Sequence, residues 1–336
     1  MITRRATIND VARLAGVSIK TVSRVLNSEP HVRPATRDRV LAATDSLNYK
    51  PNRSARQLAS KLTFVVGMLY DNPNSDYVTD VQYGSLQACR EHGYNLLIHP
   101  CRADDPDLMG EITDLQHQVD GLILLQPVSD IQSICRYLLE KKVACVRVSQ
   151  RPFQGFPWIS VGDEEAADGM TEHLLDLGHR RIGFIIGHPD HGSSHDRLAG
   201  YRSALARHDV AFQDGLVEQG RFDYESGHSC ARKLLGLDPR PTAIFASNDP
   251  MAMGVLTAAH EMGLDVPGQL SVAGFDDSPL ALHAWPPLTT VRQPITEIAR
   301  LATEVLMQQM RGRSEEAADH RLQASLMCRA STGNPG

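Results

Sequence analysis

Residues 18–27 place side chains that could read a nucleic acid on one side of a short helix. Ile19, Lys20, Ser23, Arg24 and Asn27, at i, i+1, i+4, i+5 and i+8, share a face, while Val22, Val25 and Leu26 take the other. A narrow helix with hydrogen-bonding groups and cations on its free face is what the major groove of double-stranded DNA admits. Lys20 and Arg24 suit guanine edges, and Ile19 suits a thymine methyl or the sugar backbone. Ser18, Thr21, Ser23 and Asn27 suit phosphate or supporting contacts.

The elements that must position this face are also legible. Ile8, Val11, Ala12 and Ala15 give a preceding helix one apolar side, with Thr7 as its cap and Asp10 three residues on. Gly16 marks a sharp turn, and Ser18 can accept a backbone N–H where the second helix starts. A third helix opens at Pro34 and carries Val40, Leu41, Ala43 and Leu47. The alternative is an ordinary helix–turn in a small bundle. Charge speaks against it: residues 1–61 hold 12 Lys+Arg against 4 Asp+Glu, leaving 22 against 36 for the rest of a chain whose net charge is −6. A basic head on an acidic body fits a phosphate backbone as partner.

At 336 residues the chain is long enough for more than one buried core. No stretch approaches the roughly 18 consecutive apolar residues of a membrane span. Met1 to Arg5 leads into a polar helix rather than a signal sequence, and the six cysteines are scattered without a CxxC pair. A cytoplasmic protein with reduced thiols is expected.

From Leu62 onward short apolar runs alternate with amphipathic stretches. Phe64–Tyr70, Asn95–Ile98, Gly121–Leu125, Ala144–Val148, Arg181–Ile186, Ala243–Ala246 and Ser271–Phe275 read as strands, and Val81–His92 and Arg300–Met310 as helices. Strands separated by helices predict parallel sheets with helices on both faces, which bind ligands beyond the carboxyl ends of their strands. Residues just after each strand are therefore candidates: Tyr70, Asp71 and Asn72, then Gln150 and Arg151, then Phe222, then Trp285 and Gln293, with Tyr77 from the first loop. For each, the competing use is a helix cap, a surface loop or a contact between lobes.

The segments Thr7–Asn27, Val32–Val40 and Leu47–Asn52 together resemble the lactose-repressor family of bacterial transcription regulators, and the resemblance continues in Gly178–Ile182, Arg197–Tyr201, Ser247–Gly254, Gly274–Asp277 and Pro287–Val291. It implies an all-α helix-turn-helix head over 1–48, a hinge helix over 49–61, and a two-lobed α/β domain like a periplasmic binding protein over 62–330, followed by a tail at 331–336. Crossings near Val161, Thr290 and Leu322 would divide that domain into one lobe of about 62–161 and 291–321 and another of about 162–290 and 322–330. In the hinge, the resemblance gives Leu58, with Ala55 on the same face, the role of a wedge in the minor groove when two copies pair. It gives Arg197 a forked hold on ligand hydroxyls or carboxylates, and Asp249 acceptance from paired hydroxyls. Asp163 and Asp276 match family positions too, with turns rather than ligand as the leading use of their carboxylates. Phe222 stands where the family often has a stacking aromatic.

Residues and resemblance together imply a ligand-responsive repressor of a carbohydrate uptake or catabolic operon, released by a small saccharide from a near-palindromic operator. Its partners would be operator DNA, a small effector and a second copy of the chain, since no leucine heptads follow Leu326. A corepressor-type regulator sensing a purine or nucleoside is the alternative. No enzyme motif occurs (no G-x-S-x-G, P-loop, HExxH or Rossmann glycine pattern), so neither catalysis nor a cofactor is expected. His188, His191 and His195 could ligate a metal, but hydrogen bonding to a polar ligand is preferred, and no metal is expected. Arg24→Ala is expected to cost about 1–3 kcal/mol on a selected operator and little on random duplex. Fluorescence anisotropy on both DNAs checks this, and equal losses would remove Arg24 from base reading.

Overall fold

The computed structural model describes residues 6–26, 32–49, 62–312 and 319–336. The chain divides into two compact units, residues 1–63 and 64–336.

In the first unit, α1 (Ile8–Ala15), α2 (Ile19–Leu26) and α3 (Pro34–Ser46) enclose a core of Val11, Ala12, Ala15, Val22, Val25, Val40 and Ala43. Thr7 and Asp10 close the start of α1: the Thr7 N–H and hydroxyl donate to Asp10 Oδ2 at 2.9 and 2.7 Å. Gly16 ends it with φ +63°, a left-handed conformation that nearly every other residue resists. Ser18 Oγ takes the Thr21 N–H at 3.2 Å and starts α2. Leu41 is exposed and does not join the core. On α3 the inward stripe runs through Val40 and Ala43, and Leu41, one residue on from Val40, is turned about 100° away from it.

The second unit holds two parallel sheets. The first takes β1 (Val65–Tyr70), β2 (Asn95–Pro100), β3 (Gly121–Leu124), β4 (Ala144–Val148), β5 (Trp158–Val161) and β11 (His320–Leu322), in the order β11-β5-β4-β3-β1-β2. The second takes β6 (Ile182–Ile186), β7 (Val217–Gln219), β8 (Ala243–Ala246) and β9 (Ser271–Ala273), in the order β7-β6-β8-β9. The inner strands of each are strongly apolar because helices cover both faces. On the first sheet, α4 (Ser75–Glu91) and α12 (Ile295–Met310) lie over a core that includes Val66, Met68, Ile123, Val146, Ile298, Ala302 and Val305. Its other face carries α5 (Leu108–Leu115) and α6 (Gln132–Glu140), and Leu122, Leu124 and Cys145 meet Ile112 and Leu138 there. The second sheet lies between α7 (Asp163–Asp176) with α8 (Gly192–Arg207) and α9 (Tyr224–Leu235) with α10 (Asp249–Glu261).

The chain leaves the first sheet after Val161 and returns, past the short helix α11 (Pro279–His283), through β10 (Thr290–Arg292) to α12. It adds β11 to the first sheet, then β12 (Ser325–Met327) pairs antiparallel with β10. α4 begins at Ser75, earlier than the periodicity suggests, because Asn74 caps it by accepting from the Asp76 and Tyr77 N–H groups. Residues 331–336 are no free tail. Ser331 is fully buried, its carbonyl accepts the Val272 N–H at 2.8 Å, and its hydroxyl donates to Val272 O at 2.6 Å along the edge of the second sheet.

Helix pairs meet at glycines. A Cβ on Gly84 of α4 would lie 2.1 Å from Thr296 O, and one on Gly200 of α8 would lie 2.1 Å from Glu164 O. Gly84→Ala is therefore expected to lower stability by about 1–3 kcal/mol through overpacking. Gly169→Ala, within α7 where nothing lies within 4 Å of an added Cβ, is expected to raise it by roughly 0.5–1 kcal/mol. Chemical denaturation of both variants checks the pair.

Candidate functional site

In the head, α2 carries the outward face. Ser18, Ile19, Lys20 and Arg24 are exposed, Thr21 and Ser23 are half-buried, and Val22 and Val25 are buried. Ile19 is 49 % exposed, an apolar group in solvent flanked by a lysine. Asn27 and the hinge residues Ala55 and Leu58 lie outside the described residues.

In the body, the loops after the carboxyl ends of both sheets converge on one polar cavity of about 50 Å3. Six of the sequence candidates line it: Asn72, Tyr77, Gln150, Arg197, Phe222 and Gln293. At its centre lies Arg197, 5 % exposed on α8. Its Nε donates to Asp163 Oδ1 at 2.8 Å, its Nη1 donates to Ser247 O at 2.5 Å, and Asp276 Oδ1 stands 4.0 Å from Nη1. The guanidinium lies over the Phe275 ring at 3.7 Å and faces Phe222 at 5.7 Å. Asp276 is held from two directions: Asn74 Nδ2 donates to Oδ2 at 2.9 Å and Gln293 Nε2 to Oδ1 at 2.7 Å. Burial pushes the Asp276 carboxyl up to about 6 against the opposing pull of Arg197 and these amides, and Asp163 adds to the rise. Burial, with Asp163 and Asp276 nearby, likewise raises the Tyr77 phenol.

Two wall residues hold unusual backbones. Phe222 has φ +66° and Asp276 φ +111°, conformations that L-residues rarely adopt and that cluster at ligand sites. Gly187 makes room for the Phe222 ring, which would lie 2.1 Å from a Cβ there. His191, 3 % exposed, meets Phe222 edge-on at 5.3 Å, and burial together with His188 and Arg197 pushes its imidazole down to about 3. It is a neutral wall of the cavity.

The other sequence candidates lie elsewhere. Asp249 is fully buried but does not line the cavity: Ser278 N–H reaches its Oδ2 at 2.7 Å and Thr290 Oγ1 lies 2.6 Å from its Oδ1. The leading roles of the acids are thus exchanged, with Asp163 and Asp276 at the cavity and Asp249 bracing a loop. Asp71 accepts from the Ala103 N–H at 2.8 Å, and neither Tyr70 nor Arg151 is in the lining. Trp285 is 91 % exposed and away from the site. Of the histidine loop, His195 contacts Pro189 O at 3.0 Å, His188 takes the Asp190 N–H at 3.4 Å and meets His191 edge-on at 5.4 Å, and only His191 enters the lining. Among the described residues no group of three or more His, Cys, Asp or Glu side chains is arranged to hold a metal ion.

Sequence reasoning passed over Asn74, Gln126, Ser149, Ser160, Ser193 and Asn248, all of which line the cavity. Two had a signal available. Asn74 and Asn248 stand just ahead of helices as caps, Asn248 Oδ1 accepting the Met251 N–H at 3.0 Å while its Nδ2 donates to Phe222 O at 2.8 Å. Gln126, Ser149 and Ser160 sit in loops or strands where no periodicity marks them, and Ser193 lies in the first turn of α8.

Residues 7–52 match the family of bacterial regulatory proteins named for lacI, and residues 171–332 match the periplasmic binding protein-like domain. The ribose operon repressor of Escherichia coli (strain K12) is 38% identical over 309 residues, covering 90% of this chain and 92% of its own. The chain belongs to the lacI family. The HTH-type transcriptional repressor PurR of Photobacterium profundum is 33% identical over 339 residues, 97% of this chain and 98% of its own. Among solved structures, the lac repressor dimer bound to operator and the anti-inducer ONPF superposes with a TM-score of 0.80 at 29% identity, covering 98% of this chain and 100% of that one. As a lacI-family member the chain is a DNA-binding transcription regulator with a helix-turn-helix head and a two-lobed effector domain. The family is one of regulators rather than enzymes.

The bracing role of Asp249 has a pH signature. Burial first, then Asp276, pushes its carboxyl up to about 8, so the folded state holds the proton more tightly than the unfolded chain. Stability from this group is fully present below the ordinary carboxylate range and falls as pH rises toward 8. Asp249→Asn, a neutral mimic of the protonated acid, is expected to gain stability relative to the parent chain between pH 5 and 8. Thermal melts across that range check it; a constant difference would show that Asp249 is already ionised at pH 5.

Proposed function

We propose that this lacI-family regulator is a homodimeric cytoplasmic repressor of a carbohydrate uptake or catabolic operon, released from a near-palindromic operator by a monosaccharide. The observation that carries the reading is the Asp163–Arg197–Asp276 cluster at the cavity, with amide groups of Asn72, Gln150, Asn248 and Gln293 around it. Planar, forked donors and acceptors matched by one aromatic face, Phe222, suit vicinal hydroxyls on a ring with one apolar side. No cation beyond Arg197 and only two carboxylates line the wall among the described residues, which suits a neutral polyol. The cavity of about 50 Å3 has room for a few waters, at roughly 10–15 Å3 each. A ring must therefore part the lobes to enter, and a monosaccharide asks for less of that than a disaccharide.

Such parting is the supporting physical route to a switch. Asn74 of the first lobe holds Asp276 of the second, and Gln126 Oε1 of the first takes the Ser193 N–H of the second at 3.2 Å. A ligand that changes these contacts shifts the equilibrium between lobe arrangements by its differential affinity for them. Reading of the operator falls to Ser18, Ile19, Lys20, Thr21, Ser23, Arg24 and Asn27, with Ala55 and Leu58 at the minor groove. Support comes from the relatives: one carries the name ribose operon repressor, and the lac repressor structure is a dimer on its operator.

The test is anisotropy of a selected near-palindrome with the full chain, titrated with D-ribose, D-glucose, D-galactose and D-fructose, and separately with hypoxanthine and guanine. A monosaccharide is expected to weaken DNA binding tenfold or more, about 1.4 kcal/mol of coupling. Tightening by a purine, with no response to sugars, would overturn the saccharide reading in favour of corepression.

A further inference from the structure

Most polar groups in the cavity wall are already engaged. Ser149 Oγ donates to Asp130 Oδ1 at 2.5 Å, and Gln150 Nε2 donates to Val161 O and to Asp163. Gln126 Nε2 donates to Asp130 Oδ2 at 3.1 Å, and Asn74 and Gln293 serve Asp276. Ser160 differs from all of these. It lies on β5, lines the cavity and is 2 % exposed, yet its Oγ has no hydrogen-bond partner among the described residues.

Ile159 and Val161, on either side, belong to the apolar core beneath α4 and α12 and also line the cavity, while strand alternation turns Ser160 to the opposite face. A buried hydroxyl left unpaired destabilises a fold, and a small apolar residue would remove the penalty at no loss of packing. Among the described residues nothing offers Ser160 Oγ a partner, while its position at the cavity wall offers it one from outside. A serine hydroxyl is one donor and two acceptor sites, the same endowment as a sugar hydroxyl. A ligand presenting C–H or methyl at this point would leave both sides unpaired, which is the strongest form of discrimination a small site can make.

We propose that Ser160 is a specificity-determining residue of the effector site, pairing with a ligand hydroxyl and selecting the hydroxylated sugar over its deoxy analogue at that carbon. The proposal rests on the saccharide reading above and extends it. Arg197 and Asp276 grip the ligand from the second lobe, and Ser160 adds a hold from the first, so one small molecule bridges both.

The experiment is calorimetric titration of the full wild-type chain and of Ser160→Ala with D-ribose, D-glucose, D-galactose and D-fructose, followed by the monodeoxy analogues of whichever sugar binds. Ser160→Ala is expected to melt at the wild-type temperature or above it, because an unpaired hydroxyl is removed, while binding the parent sugar about tenfold more weakly. One monodeoxy analogue is expected to bind both proteins equally. Ser160→Cys, close in volume but a poor donor and acceptor, is expected to repeat the loss and covers any failure of the alanine variant to fold. Equal affinity of wild type and variants for the parent sugar overturns the role of Ser160 and leaves the saccharide reading intact. A wild-type chain that binds none of the sugars overturns both.

Discussion

The body depends on one buried guanidinium. Arg197 is nearly inaccessible, and a cation so placed is tolerated only where acceptors and a polarisable face replace water. Asp163 supplies a carboxylate from the first residue of α7, just after the chain leaves the first sheet. Ser247 supplies a carbonyl from the carboxyl end of β8, and Phe275 supplies the ring. Asp276, next to that ring, is then fixed by an amide from each side of the crossing, Asn74 and Gln293. Five separated segments thus meet because one charge must be satisfied. The cavity is the space left on the open side of that arrangement.

Elements with local signals were the most legible in the sequence. The head could be read nearly whole because each helix carries its own start, Thr7 with Asp10, Ser18 and Pro34, and the first its own stop at Gly16. The long apolar strands of the body were equally plain, since a strand covered on both faces has few polar interruptions. Short strands such as β5, β7 and β10–β12 were harder, because three or four residues leave too little periodicity to separate them from loops. Leu41 shows the limit in a helix, where an apolar residue one step off the stripe belongs to the surface.

The site was legible as a list of loops and illegible as a set of directions. Arg197 was found because its neighbours repeat a family pattern. Asp249 and Asp276 were exchanged in leading role because both acids follow strands, and which one faces the cavity is decided by backbone torsion. Asp276 sits at φ +111°, a choice that no spacing of residue types reveals. Trp285 is the opposite case: an aromatic after a strand suggests stacking, yet the short helix before it turns the indole into solvent. Chemistry of residue type predicts what a site can do, and torsion decides which residues take part.

The burial of Ser331 has a bearing on how the protein is made. Strand β9 is an edge of the second sheet, and its Val272 is closed off only when residues 331–333 lie along it. The first sheet likewise receives β11 and α12 from sequence beyond residue 290. Neither lobe can therefore finish folding as it leaves the ribosome; each keeps an open edge or an uncovered face until chain far downstream arrives. Unpaired strand edges are what chaperones shield and aggregates recruit. Premature termination between residues 252 and 319 would leave both lobes incomplete together, because neither β11 nor residues 331–333 would have been made.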